Sequence, residues 1–265
     1  MNKNSLKALI AFVILIGGIA VIFFWQQTPP EVVVKAPPPV LPKAPKPEVS
    51  QVIEAPEVQP ALPPLAESDS FMLDALAGLI DNPAMMKLFH TEKIIRNIVA
   101  TIDNLTTMKL PLRLMPLKQA SGKFIPAGNE DEQTISPKNA ARYTPYVKLA
   151  ESINTRKLVE LYVRLYPLFQ QAYAELGYPN QYFNDRLLEV IDDLLESPDI
   201  KGPVKLVRPG VFYQFADPEI EALPIGQRIL VRIGSKNKAV LTSKLREIKQ
   251  ELQLHMRDKK IGSTQ

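Results

Sequence analysis

The densest cluster of side chains that could do chemistry lies between Tyr178 and Arg186. Tyr178 and Tyr182 each combine an apolar ring with a polar tip, which suits the rim of a groove for a sugar or a peptide. An amide, a carboxylate and a guanidinium follow them, on Asn184, Asp185 and Arg186. These five residues are the candidate ligand-binding residues. The alternative is structural: Asn180 or Asn184 caps the next helix, Asp185 favours its positive end, and Arg186 pairs with a nearby carboxylate.

Carboxylates continue along the same segment and offer one catalytic chemistry. Spacings of three and four residues place Asp185, Glu189, Asp192 and Glu196 on one face of a helix. Glycoside hydrolases need two carboxylates that flank the sugar bond, so hydrolysis of a glycan is one hypothesis. A solvated acidic face explains the same spacing without any catalysis, and we favour that interpretation.

Other catalytic chemistries lack their sequence patterns. The chain has no cysteine, which excludes thiol catalysis and thiolate metal sites. Its two histidines, His90 and His255, lie far apart and outside any ligand-spaced motif, so we predict neither a metal site nor a cofactor. The sequence has no G-x-S-x-G elbow and no glycine-rich phosphate loop. It therefore favours a protein without catalytic activity. The formal net charge of +4 is also too small to indicate a nucleic-acid partner.

Two amphipathic helices are predicted to position the polar cluster. From residue 154 to 176 the leucines form one stripe that ends at Leu176, and tyrosines form a second stripe beside it. Pro167 falls on the polar side, so it bends one helix around the core and does not split it. A short Leu-Gly-Tyr-Pro connection leads into a second helix within NQYFNDRLLEVIDDLLESP. We therefore predict an antiparallel helical hairpin.

Shorter patterns complete the folded region. Helical spacing predicts a helix in TEKIIRNIVATIDNL, another that starts at Ser136-Pro137, one over PIGQRILVRIG and a last one at the C-terminal end. Weaker strand signals, around residues 124–135 and in VKLVRPGVFYQF, indicate one or two short β-hairpins. The predicted fold class is thus mainly α: a globular helical domain with a helical hairpin and one or two short β-hairpins.

Several segments of this region together resemble one bacterial family: IVATIDNL, NAARYTPYVKLAES, LYPLFQQAYAELGYP, YFNDRLLEVIDDLL and FYQFADPEIEALPIGQRILVRIG. They are similar to the domain of unknown function 3014 family over residues 66–252. The resemblance implies an exported or membrane-anchored envelope protein of Gram-negative bacteria, and it supplies no catalytic residues. Asn97 stands where the family pattern suggests a second arginine, which puts a paired-arginine role in doubt.

The N-terminal end differs in composition from the folded region. Residues 1–27 are predicted to form a transmembrane anchor, because residues 8–25 carry no charge and would span about 27 Å as a helix. Lysines precede this run and the first charge after it is Glu31, so the N-terminus is predicted to be cytoplasmic. A cleaved signal peptide is the alternative. It would need a small-x-small cleavage site, whereas this segment ends in Phe-Phe-Trp-Gln-Gln.

Residues 28–65 contain 12 of the chain's 25 prolines and are predicted to be an extended, disordered linker. Residues 66–265 then form a periplasmic helical domain. The expected location is the bacterial inner membrane, with a single pass through residues 8–25 and an envelope protein or peptidoglycan as partner. The function that we predict is a non-catalytic binding or scaffolding module of the cell envelope. Hydrolysis of envelope glycan by paired carboxylates remains the alternative.

Overall fold

The computed structural model of the chain describes residues 61–129 and 132–262. The predicted anchor, residues 1–27, and most of the predicted linker, residues 28–60, lie outside this part of the chain. Within the part that is described, no helix is long and apolar enough to cross a membrane.

Helices make up most of the described chain, which confirms the prediction of a mainly α domain. They are α1 (Ser68–Leu79), α2 (Ile94–Asn104), α3 (Lys138–Ser152), α4 (Thr155–Glu175), α5 (Phe183–Leu195), α6 (Pro218–Glu221), α7 (Ile225–Arg232) and α8 (Ser235–Gly262). Three short 3-10 helices accompany them, at Leu65–Glu67, Pro83–Leu88 and Leu112–Leu114.

The predicted helical hairpin is formed by α4 and α5. Helix α4 runs unbroken through Pro167, whose ring is exposed on the side away from the core. The missing amide hydrogen bond therefore falls where water can replace it. Gly177, with φ of 120°, ends the helix in a conformation that favours glycine. Leu176, predicted to close the buried leucine stripe, is 40% exposed because it lies at the C-cap, where the helical periodicity stops.

One large core holds the helices together. Helix α2 packs against α4 and α5, and α8 packs against α3, α4 and α5. Helix α7 is buried along its whole length, from Ile225 to Arg232. Gly226 permits this, because a Cβ there would lie 2.6 Å from the Leu194 side chain and 3.0 Å from the Leu105 carbonyl oxygen.

Both predicted β-hairpins are present, and they join into one antiparallel four-stranded sheet. Its strands are β1 (Pro126–Ala127), β2 (Gln133–Ile135), β3 (Lys205–Val207) and β4 (Gln214–Phe215), in that order. The two hairpins meet where β2 pairs with β3, with Gln133 opposite Leu206. A second, smaller core lies under the sheet, built from Leu206, Phe215, Ile220 and Val231.

Packing begins slightly before the predicted domain boundary at residue 66. Leu65, in the predicted linker, is only 4% exposed, and Leu62 is partly buried against the same core. These two leucines belong to the domain in the structure, because the turn Leu65–Glu67 packs against both α1 and α4.

Candidate functional site

The five candidate residues lie together at the end of the helical hairpin where α4 turns into α5. Tyr178 lies in the connection, and Tyr182 is the N-cap residue of α5. Asn184, Asp185 and Arg186 form the first turn of that helix. Asp185 is thus near the positive end of the helix dipole, as the structural interpretation predicts.

The predicted asparagine cap is wrong. The N-cap of α5 is Tyr182, whose side chain makes no cap hydrogen bond; Gln170 of α4 instead accepts from Phe183 N, the first amide of α5, at 2.9 Å. Asn184 lies one residue inside the helix and is 2% exposed. Its Oδ1 accepts a hydrogen bond from the hydroxyl of Tyr162 in α4. Asn184 therefore links two helices through their buried faces.

Aromatic rings fill the space between the two helices. Phe169 and Phe183 stack with ring centroids 5.9 Å apart, and Tyr162 lies 5.4 Å from Phe169. Tyr173 stacks on Tyr178 at 4.7 Å. Tyr178 thus takes part in the packing and does not stand alone at a rim.

Burial affects the ionisation of these phenols. It raises the pKa of Tyr173 to about 12 and raises the pKa of Tyr162 well above its ordinary value of 10.0. The pKa of Tyr166 is raised as well, by burial and then by the negative charge of Asp185. All three phenols therefore stay neutral at physiological pH and act as hydrogen-bond donors or acceptors.

Arg186 is the centre of a second link, from α5 to the end of α2. Its Nε donates to Asp103 Oδ1 at 2.8 Å, and its Nη2 donates at 2.6 Å both to the Asp103 carbonyl oxygen and to Thr106 Oγ1. The hydroxyl of Tyr178 donates to the other carboxylate oxygen of Asp103 at 3.2 Å. Nη1 of Arg186 lies 3.1 Å from Glu189. Every nitrogen of this guanidinium thus has a partner within the domain.

Four of the five candidates, Tyr178, Tyr182, Asp185 and Arg186, are half-buried, and Asn184 is buried. Tyr178 and Arg186 both direct their polar groups to Asp103. The structure therefore brings the five residues together in sequence and space, but it turns Tyr178, Asn184 and Arg186 toward the protein.

The carboxylates of α5 also point to other helices. Asp192 pairs with Lys249 of α8. Asp193 accepts a hydrogen bond from Gln227 of α7 at 3.1 Å, and burial raises the pKa of this carboxyl group. Glu189 is 66% exposed and pairs with Arg186 of the same helix, and Glu196 is exposed as well. The acidic stretch is therefore a partly solvated face that also contacts α7 and α8.

Polar residues that the sequence did not single out lie buried on α7. Arg228 donates to the Met108 carbonyl oxygen at 2.6 Å and to Glu221 at 2.9 Å. The guanidinium carbon of Arg232 lies 5.1 Å from the ring centroids of both Phe124 and Phe215, and burial lowers the pKa of Arg232 to about 10. Phe124 and Phe215 of β4 thus cover Arg232, a contact that the local sequence does not indicate.

Lys238 of α8 is another buried cation without a local sequence signal. It is 6% exposed, and its Nζ donates to the carbonyl oxygens of Ser197 and Pro198, both at 2.7 Å. Asp199 completes the site with a contact of 2.6 Å. Lys238 thus stabilises the free carbonyl groups just beyond α5, where a positive charge is favoured.

Acidic residues and histidines do not gather into a metal site in residues 61–129 and 132–262: no three such side chains are close enough to hold an ion. Nothing in this part of the domain points to a resident metal.

Comparison with known families gives one match. The family model described as "Protein of unknown function (DUF3014)" matches residues 94–249, from the start of α2 to well within α8. The match covers more than half of the chain and includes both links of the helical hairpin. Comparison with curated proteins gives no match, and comparison with solved structures gives none either.

Proposed function

The chain belongs to the DUF3014 family of proteins of unknown function, and we propose that this member is a non-catalytic binding or scaffolding module of the bacterial cell envelope. Residues 8–25 anchor it in the inner membrane, and the proline-rich segment after them carries the helical domain into the periplasm. This proposal rests on the uncharged apolar run of the N-terminal segment and on the prolines that follow it.

One observation carries the non-catalytic part of the proposal. The reactive groups of the hairpin are used to join helices: Arg186 contacts Asp103 and Thr106, and Asn184 contacts Tyr162. The Arg186 guanidinium and the Asn184 side-chain oxygen are thus positioned to stabilise the fold. This supports a role in binding or scaffolding through other parts of the domain surface.

The hydrolase alternative gains no support from the acidic stretch. A glycosidase needs two carboxylates about 5–10 Å apart across a sugar-binding cleft. The carboxylates of Glu189 and Asp192 instead contact the cations Arg186 and Lys249.

Topology is tested with reporter fusions. A periplasm-active reporter placed after residue 60 is expected to be active, and a cytoplasm-active reporter at the same place is expected to be inactive. The opposite pair of signals would contradict the envelope location.

The absence of catalysis is tested separately on purified cell-wall sacculi. The full chain is expected to release no soluble glycan fragments. Release by the wild-type chain that disappears in a Glu189→Gln, Asp192→Asn variant would overturn the proposal in favour of the hydrolase. An Arg156→Gln variant, altered on the exposed side of α4, is the matched control.

A further inference from the structure

A polar cleft opens beside the start of α2, away from the helical hairpin. Its volume is about 320 Å³, and the segment His90–Glu92 forms one side of it. Leu112, Arg113 and Met115 form another side, and Asn97 of α2 completes the lining. Met115 is 1% exposed and Leu112 is half-buried, so the cleft has an apolar floor beneath polar walls.

Main-chain hydrogen bonds fix both walls. His90 N donates to the Pro116 carbonyl oxygen at 2.9 Å, and Lys118 N donates to the Leu88 carbonyl oxygen at 2.7 Å. The hydroxyl of Thr101 donates to the Leu114 carbonyl oxygen at 2.8 Å. The two sides of the cleft are therefore tied to each other and to α2, which lowers the entropy cost of binding a ligand between them.

The backbone next to the cleft is strained. Lys93 has φ of 51°, the sole positive φ of a non-glycine residue in the described ranges. The carboxylate of Asp69 holds this conformation by accepting hydrogen bonds from Lys93 N at 2.7 Å and from Ile94 N at 2.8 Å. Strain of this kind persists where the surroundings impose it, and it clusters at ligand-binding sites.

The side chains around the cleft define the chemistry of a ligand. Arg113 is exposed and forms no ion pair with any described residue, so its planar fork can bind a carboxylate in a bidentate manner. His90 and Thr91 add further hydrogen-bonding groups on the facing wall. Glu92 suits an amide or ammonium group, and its negative charge opposes a doubly charged phosphate. No phenylalanine, tyrosine or tryptophan lines the cleft, which disfavours a sugar as the ligand.

We propose that this cleft binds the free carboxylate end of a short peptide. Arg113 binds the terminal carboxylate, Glu92 accepts from a main-chain amide, and the side chain of the last residue lies on Met115 and Leu112. The inference rests on the proposed function, since it names the ligand class of a binding module. A protein C-terminus and a cell-wall peptide both present this chemistry.

The test compares two probes on the full chain in mild detergent, by isothermal titration calorimetry. One probe is acetyl-Ala-Ala-Ala with a free carboxylate, and the other is the same peptide as its carboxamide. We expect the free acid to bind at least about tenfold more tightly, the effect of one charge-assisted hydrogen bond pair. Arg113→Gln is expected to abolish this difference. Arg156→Gln, which alters another exposed arginine, is expected to preserve it.

Equal binding of acid and amide, no binding of either, or an undiminished preference in Arg113→Gln would overturn the proposal. Arg113→Lys keeps the positive charge but loses the planar guanidinium group. It is expected to show an intermediate preference for the free acid, with an unchanged circular dichroism spectrum. Probes ending in D-Ala-D-Ala and in L-Ala-L-Ala identify the source, since cell-wall peptides carry D-residues. Glycan release from sacculi would contradict the proposed function but would leave this comparison of probes unaffected.

Discussion

Asp103 and Arg186 join the end of α2 to the start of α5, with 2.8 Å between Oδ1 and Nε although the two residues are 83 positions apart in the chain. Their side chains are 14% and 16% exposed. An ion pair shielded to this degree depends on both partners, because loss of either one leaves the other charge poorly solvated. This relationship makes the cluster at the hairpin a determinant of stability.

Replacement of Arg186 by methionine is expected to lower the free energy of unfolding by about 2–3 kcal/mol, somewhat less than for a fully buried pair because some solvent reaches both side chains. Urea denaturation measures the loss. Arg156→Met is the matched control, since Arg156 is 77% exposed in its pair with Glu160. It is expected to cost less than about 0.5 kcal/mol. Equal losses in the two variants would show that the Asp103 contact contributes nothing.

Removal of one hydroxyl tests the buried link between Tyr162 and Asn184. Tyr162→Phe is expected to cost about 1–2 kcal/mol, because it leaves the buried Asn184 oxygen without its donor. Tyr162→Ala is expected to cost about 3–5 kcal/mol through loss of the ring. Tyr182→Phe, at the half-buried N-cap, is expected to melt within a degree or two of the wild-type chain. A larger loss in Tyr182→Phe than in Tyr162→Phe would mean that the Asn184 contact is not formed.

Tyr178→Ala is expected to lower the free energy of unfolding by an amount between those of Tyr182→Phe and Tyr162→Ala. Its ring stacks on Tyr173 and its hydroxyl donates to Asp103, but the side chain is only half-buried. Loss of the stacking and of the hydrogen bond is expected to cost about 1–3 kcal/mol. Thermal melts of Tyr178→Ala and Tyr178→Phe separate the two contributions, since the phenylalanine variant keeps the stack.

The stability of the domain is expected to depend on pH through Asp193. Burial raises its folded-state pKa above the ordinary 3.8, so the folded protein holds this proton to higher pH than the unfolded chain. The contribution of Asp193 to the free energy of unfolding therefore falls as pH rises from 3.8 through the folded-state pKa. Asp193→Asn keeps an acceptor for Gln227 and removes the charge, so this variant is expected to be more stable than wild type at pH 7.

Denaturation at several pH values between 3 and 7 checks this expectation. Glu151→Gln is the control, because Glu151 is an exposed carboxylate on α3. It is expected to leave the pH dependence unchanged. A stability difference between wild type and Asp193→Asn that does not grow across this range would contradict the prediction.

The domain boundary is tested with two fragments. A fragment of residues 61–265 is expected to fold cooperatively and to be indifferent to reductant, because the chain has no cysteine. A fragment of residues 67–265 lacks Leu65 and is expected to be less stable by about 1.5–3 kcal/mol, the effect of one buried leucine. Leu65→Ala in the longer fragment is expected to reproduce most of the difference. Identical melting temperatures would place Leu65 outside the core.

Periodicity was enough to predict the longer helices, but not the four-residue α6, which is too short to show a repeat. In α4 the tyrosine stripe is buried and Pro167 is exposed, as the helical wheel predicts, because both depend on a single repeat within one segment. The short hairpins were also predictable from their turn residues. Their union through Gln133 and Leu206 was not, because β2 and β3 have too few residues for a pairing pattern and lie far apart in sequence.

The partners of polar residues could not be read from local patterns. Asp69 lies in the first turn of α1, a position typical of its own helix, yet its carboxylate binds the amides at the start of α2. Arg232 lies four residues after Arg228, on the same face of α7, yet Phe215 of β4 covers it. In both cases an element far away in the chain determines the contact, and nothing in the neighbouring residues encodes its position.

The hydrogen bonds from Lys93 N and Ile94 N to the Asp69 carboxylate also affect how the domain responds to a pulling force. A pull on the residues before 61 would reach the domain first through Leu65 and α1, which lie ahead of the region shared with the family. Helix α1 is secured to α2 by packing and by two main-chain hydrogen bonds to a single carboxylate, which water can replace one after the other. A force along the chain would therefore act on α1 before it acts on the α4–α5 hairpin. Since Met72 and Leu76 of α1 are fully buried in the large core, loss of α1 would uncover that core, so the Asp69 contacts help to keep it closed.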